Sequence, residues 1–203
     1  MTDRRRLSGR VVLATHNAGK LKEMQDLLAP YRIEVVSAGQ LGLPEPDETG
    51  TMFSENAAIK AQAAARATGL PAISDDSGLC IEALDGAPGL FTADWAGTPR
   101  DYARAMDRAR HELERRGHAA DGARAHFTSS IVVAWPDGHE AVFEGRVHGR
   151  LAFPPRGGNG FGYDPCFVVD GEAQTFGEMS MLEKKAHSHR ARAVSAMIAA
   201  LIG

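Results

Sequence analysis

The chain has 203 residues, 43% hydrophobic and 24% charged, with a formal net charge of −3. That length suits one domain, with room for two lobes, and the composition lies far from the disordered and fibrous classes. The acidic balance argues against a nucleic-acid-coating protein, whose domain is usually basic. No apolar run approaches the roughly 20 residues of a membrane span, and residues 1–10 lack the apolar stretch of a signal peptide. A cytoplasmic protein with no nucleic-acid or membrane partner is expected. Its two cysteines, Cys80 and Cys166, lie far apart in apolar settings and read as buried free thiols.

Val11 to Thr15 is a β-branched, apolar run that predicts a strand. His16-Asn17-Ala18-Gly19-Lys20 follows at once, and then Leu21, Met24, Leu27 and Leu28 recur at helical spacing. A strand, a tight turn and a helix result. The free N–H groups and positive dipole of a helix N-terminus suit such a turn to phosphate. It is not a Walker A loop, because Ala14 and Leu21 stand where that motif needs glycine and a hydroxyl. The plainer alternative is that Asn17 caps the helix and Lys20 is solvated.

Ile33 to Val36 reads as a second strand, and the Pro- and Gly-rich stretch from Leu41 to Gly50 as a loop carrying Glu45, Asp47 and Glu48. Phe53 to Thr68 reads as an alanine-rich helix, with Ala57, Ala61, Ala64 and Ala65 on one side and Gly69 terminating it. Leu70 to Ile73 predicts a short buried strand ending at Ser74-Asp75-Asp76-Ser77-Gly78. Adjacent carboxylates at a strand end repel each other, which points either to a cation or to an Asx-type turn.

Further on, Arg100 to Arg116 predicts a charged, solvated helix, and Phe127 to Trp135 a strand. Pro136-Asp137-Gly138 turns that strand into a return with Ala141, Phe143, Val147 and Leu151 on one side and Glu140, Glu144, Arg146 and Arg150 on the other. Pro154 to Pro165 is rich in glycine and carries Phe161 and Tyr163, two rings read either as an exposed stacking platform for a planar base or as aromatics tucked into structural turns. Ser180 to Glu183 is a capping box, Ser188 interrupts a run of basic residues, and Val194, Met197, Ile198 and Leu201 form a closing apolar stripe.

Thr15-His16-Asn17-Ala18-Gly19-Lys20, Glu55-Asn56-Ala57, Ser74 to Gly78, Gly86-Ala87-Pro88-Gly89, Phe161-Gly162-Tyr163-Asp164-Pro165, Glu183-Lys184 and Ser188-His189-Arg190 occur in this order. Together they resemble the Ham1 family of inosine triphosphate (dITP/XTP) pyrophosphatases from about Val11 to the C-terminus. The resemblance implies a homodimer with an elongated mixed α/β sheet, flanking helices and two lobes around a central cleft. It also implies Mg²⁺-dependent hydrolysis of ITP, dITP and XTP to the monophosphate and pyrophosphate.

By that resemblance Asp76 is catalytic and binds metal with Glu45, for which Glu48 competes. Thr15, His16, Asn17, Ala18, Gly19 and Lys20 hold the triphosphate, and Ser77 contacts substrate. Phe161, Gly162, Tyr163, Asp164, Lys184, His189 and Arg190 form the base pocket. His16 departs from the glycine usual after Thr15. Two alternatives remain open: a house-cleaning pyrophosphatase for a different modified or pyrimidine nucleotide, and a nucleic-acid binder, which has no use for the acidic pair.

Overall fold

The computed structural model describes residues 5–202. Six strands form one mixed sheet: β1 (Arg10–Leu13), β2 (Glu34–Ser37), β3 (Ala72–Ile81), β4 (Arg124–Ala134), β5 (Glu140–Leu151) and β6 (Phe167–Val169), in the order β2-β1-β3-β4-β5-β6. The flanking helices are α1 (Ala18–Leu28), α2 (Phe53–Thr68), α3 (Tyr102–Arg115), α4 (Met181–His187) and α5 (His189–Leu201). β1 runs parallel to both β2 and β3, and β5 pairs antiparallel with β6.

The described residues divide into two compact units. The first runs to Asp76 and adds Ser129–Gly145 and the segment from Arg192; the second comprises Ser77–Thr128 and Arg146–Ala191. In the first, period-two alternation splits β1 between two cores. Val11 and Leu13 pack with Met24 and Leu28 of α1 and with Val194 and Met197 of α5, while Val12 packs with Ala57, Ala61, Ala64 and Ala65 of α2. Those alanines let α2 lie close against the sheet, and Gly69 ends the helix at φ 70°. In the second unit Phe127, Phe167 and Phe176 meet Leu79, Ile81, Leu113 and Tyr163.

Two expectations need correction. β3 does not stop at the acidic pair but continues to Ile81, because Leu79, Cys80 and Ile81 are buried and carry the strand on. Its register with β1 covers only Ala72 and Ile73, so Asp75 and Asp76 sit past the end of that neighbour, and the chain beyond β1 is free to turn toward them. Tyr163 is not an exposed platform. Its ring is 1% exposed, packs edge-on against Tyr102, and donates its hydroxyl to the Thr92 carbonyl at 3.4 Å.

Both cysteines are buried free thiols, each pushed upward in pKa by burial. Two α3 arginines serve their own helix, Arg110 pairing with Asp107 and Glu114 and Arg115 with Glu112, while Arg108 lies over the Trp95 ring. No helix among the described residues is long and apolar enough to cross a membrane.

Candidate active site

In the first unit the turn after β1 is built by its own side chains. Asn17 caps α1, its Oδ1 accepting from the Gly19 and Lys20 N–H groups at 2.8 and 3.2 Å, while the Thr15 hydroxyl accepts from the Asn17 N–H. Ala18 and Gly19 open the helix, leaving its first turn directed past β1. Lys20 is not merely solvated. Its Nζ lies 2.8 Å from Asp75 Oδ2 and also donates to the Asp75 carbonyl.

Asp75 is therefore the structural member of the acidic pair. Its side chain is 2% exposed and accepts from Lys20 and from the Ser129 hydroxyl, the latter at 2.6 Å. Asp76, 14% exposed, faces Lys60 at 3.4 Å, and Lys60 also holds Glu48. Burial raises the Asp76 carboxyl, Lys60 opposes that rise and Glu48 reinforces it, leaving a net upward shift. Burial pulls the Lys60 ammonium down, but Asp76 and Glu48 outweigh it and its pKa ends raised. Three carboxylates, Asp75, Asp76 and Glu48, here meet two lysines, and burial is the main reason the Asp76 carboxyl rises.

The structure distinguishes the two loop glutamates. Glu48 shares Lys60 with Asp76, whereas Glu45 is largely exposed, 3.9 Å from His16 Nδ1. The His16 ring turns away from the phosphate turn and places Nε2 2.9 Å from the Leu43 carbonyl. In this chain the imidazole ties the acidic loop to the end of β1.

The second unit supplies the remaining candidates. Ser77, next to Asp76 on β3, accepts from Arg190 Nη2 at 3.2 Å. Arg190 is buried at the start of α5, a helix that Ser188 opens by accepting from the Ala191 N–H, so the interruption in the basic run is a fresh cap. His189 is buried and stacks on Phe127, with ring centroids 5.0 Å apart. Lys184 reaches Asp164, which also accepts the Phe161 N–H at 2.7 Å. Burial raises the Asp164 carboxyl against the pull of Lys184. Gly160 allows this approach, since a Cβ there would collide with the Asp164 carboxylate.

Phe161 is 55% exposed, and the Lys184 ammonium sits 4.8 Å from its ring centroid. One open ring with a cation at its face replaces the two-ring platform expected from sequence. Gly162, at φ 69°, separates that open ring from the buried Tyr163.

A parallel β-strand feeding an anion-suited helix N-terminus, with a lysine-bridged carboxylate pair beside it, defines an α/β protein of the phosphate-handling kind. The description "Ham1 family" matches residues 11–200, and the chain belongs to that family. It is 56% identical over 197 residues to a dITP/XTP pyrophosphatase of Rhodopseudomonas palustris, covering 93% of this chain and 94% of that protein. To the dITP/XTP pyrophosphatase of Zymomonas mobilis it is 54% identical over 200 residues, covering 98% and 95%. The solved structure of a HAM1 protein from Coxiella burnetii superposes with a TM-score of 0.87 at 39% identity, covering 94% of this chain and 96% of that one.

Proposed function

We propose that this chain is a nucleoside triphosphate pyrophosphohydrolase that removes ITP, dITP and XTP from the nucleotide pool, cleaving the α–β phosphoanhydride to release pyrophosphate. The names of its close relatives support the substrate class. The observation that carries the chemistry is Lys20, which brings the first turn of α1 to the acidic pair. Anion-binding groups and carboxylates thus share one place.

In this reading the α1 N-terminus and Lys20 bind the phosphates, with Thr15 and Asn17 shaping the turn. Asp76 orients the attacking water and binds the metal, which holds its carboxylate ionised. Ser77 and Arg190 hold the substrate. The base stacks on Phe161, and Lys184 donates to the 6-oxo group of hypoxanthine or xanthine. An adenine amino group at that position offers Lys184 no acceptor, so the bond made to a 6-oxo group is lost while the Asp164 pair remains, and discrimination follows. The expected assembly is a cytosolic homodimer, for which light scattering of the purified protein is the check.

The groups around Asp76 include hard carboxylate oxygens, whose excess negative charge fits Mg²⁺. Asp76 and Glu48 would hold it, with Glu45 the alternative. Mg²⁺ bound there supplies charge neutralisation of the phosphate oxygens. Glu48→Gln is expected to raise the Mg²⁺ concentration for half-maximal rate about tenfold, and Glu45→Gln only about twofold; the reverse order in a metal titration assigns the role to Glu45.

A triphosphate panel of ITP, dITP, XTP, ATP, GTP and dTTP, with and without Mg²⁺, tests the whole reading. Mg²⁺-dependent pyrophosphate from the first three is the expected result. Orthophosphate as the product, or dTTP as the preferred substrate, overturns it.

A further inference from the structure

A second cluster of ligand-type side chains lies away from Asp76 in the surface of the second unit. β4 and β5 are antiparallel neighbours. Trp135 bonds to His139 at the turn and Leu151 to Ala123 at the far end in one register, which sets His126 opposite His148. The two imidazoles approach to 5.3 Å between centroids at an interplanar angle of 38°. Glu82 joins them from the single helical turn Glu82–Leu84 that follows β3, and one ligand atom from each of the three residues lies within 4.8 Å of the others.

His126 Nδ1 adds an independent observation. It is buried and makes no hydrogen bond. A buried polar atom without a partner costs on the order of 1–3 kcal/mol and calls for a ligand, a water or an ion. His148 and Glu82 are exposed, so the cluster is open to solvent on one side.

We propose that Glu82, His126 and His148 form a binding site for a divalent transition-metal ion of the zinc class. Two imidazoles and one carboxylate are the three-protein-ligand pattern that leaves a fourth position for water. Zn–N and Zn–O bonds of about 2.0–2.2 Å put tetrahedral ligands about 3.3 Å apart, so the three atoms, now within 4.8 Å of one another, must draw closer on binding. Mg²⁺ is excluded on chemistry: imidazole is a poor ligand for it.

The surrounding charge does not select the ion. Arg124 and Arg146 flank the histidines two positions before each. Arg124 is engaged by Asp170, and Arg150 donates to the Glu172 carbonyl. Binding at this site therefore rests on coordinate bonds from the two imidazoles and the Glu82 carboxylate and not on the local field. Bound metal would pin the end of β3, the strand of Asp76, to the β4–β5 hairpin.

The test uses the tag-free protein in excess Mg²⁺, titrated with Co²⁺ and followed by visible absorption, with Zn²⁺ melting curves alongside. One Co²⁺ per chain, with the intense visible bands of a four-coordinate site, and a Zn²⁺-dependent rise of several degrees in the melt are expected. His148→Ala and Glu82→Gln each should weaken Co²⁺ binding at least about tenfold, with pyrophosphate release in Mg²⁺ unchanged. Both changed side chains are exposed, so these variants fold. No Co²⁺ bands at millimolar metal, or binding unaltered in His148→Ala, overturns the proposal and leaves the proposed hydrolase function untouched.

Discussion

Asp76→Asn is expected to lower pyrophosphate release from dITP about 10³-fold, equivalent to about 4 kcal/mol of barrier, without unfolding the protein. The amide keeps the shape and loses both the negative charge and the proton-accepting oxygen. Stability gives the control. A carboxyl whose folded pKa lies above its unfolded value of about 3.8 favours the fold only while protonated, and that contribution is lost as pH rises through the folded value. At neutral pH the ionised Asp76 is therefore a liability to the apo fold. Lys60 retains Glu48 in the variant, so no ammonium is stranded. In Mg²⁺-free buffer at pH 7 the variant should melt no lower than the parent, and Mg²⁺ should raise the parent's melt more than the variant's. Loss of activity with a melt several degrees lower would instead make Asp76 a structural residue.

The legibility of the sequence differed from element to element for physical reasons. α2 was readable to its last residue because alanine spacing, helix propensity and a left-handed glycine all act locally. The same holds for the capping box at Ser180 and the restart after Ser188, where short-range hydrogen bonds decide the backbone. β3 was cut short in the reading because two aspartates are poor strand formers. The residues that carry the strand onward lie on its far side, and the limit of β1 beside it is a tertiary fact. Tyr163 is hard to place from sequence for a related cause: Gly160 and Gly162 before it and Pro165 after it conceal any periodicity, and its burial depends on Tyr102 and Thr92, distant in the chain. Asp75 and Asp76 are told apart in sequence only by the family resemblance, which gives the catalytic role to Asp76. The physical difference comes from Ser129 and the two lysines, arriving from three other elements, which make Asp75 a buried anchor and leave Asp76 partly open. The His126–His148 pair was missed although its signal was present: a defined hairpin turn fixes the register, and with it which side chains face each other.

Lys20→Ala is expected to act on the fold as well as on the substrate. Removing the ammonium leaves the Asp75 carboxylate almost wholly buried, with the Ser129 hydroxyl among its remaining partners. Breaking a buried pair in this way costs about 3 kcal/mol, which at this chain length lowers the melting temperature by roughly 6–12 °C. The KM for dITP should rise at least about tenfold at a temperature where the variant is folded, because the phosphate turn has lost its cation. The two effects separate in Lys20→Met/Asp75→Asn. That double variant replaces the pair with a neutral one of similar volume, so the lost stability should largely return while the KM stays high. Recovery of both would mean that Lys20 matters only as the counter-ion of Asp75. Recovery of neither would mean that the Asp75 carboxylate itself sets the position of Asp76. Because the two residues are successive on β3, the parent-like melt with unrepaired KM is the outcome that keeps phosphate binding with Lys20 and leaves Asp76 to the chemistry.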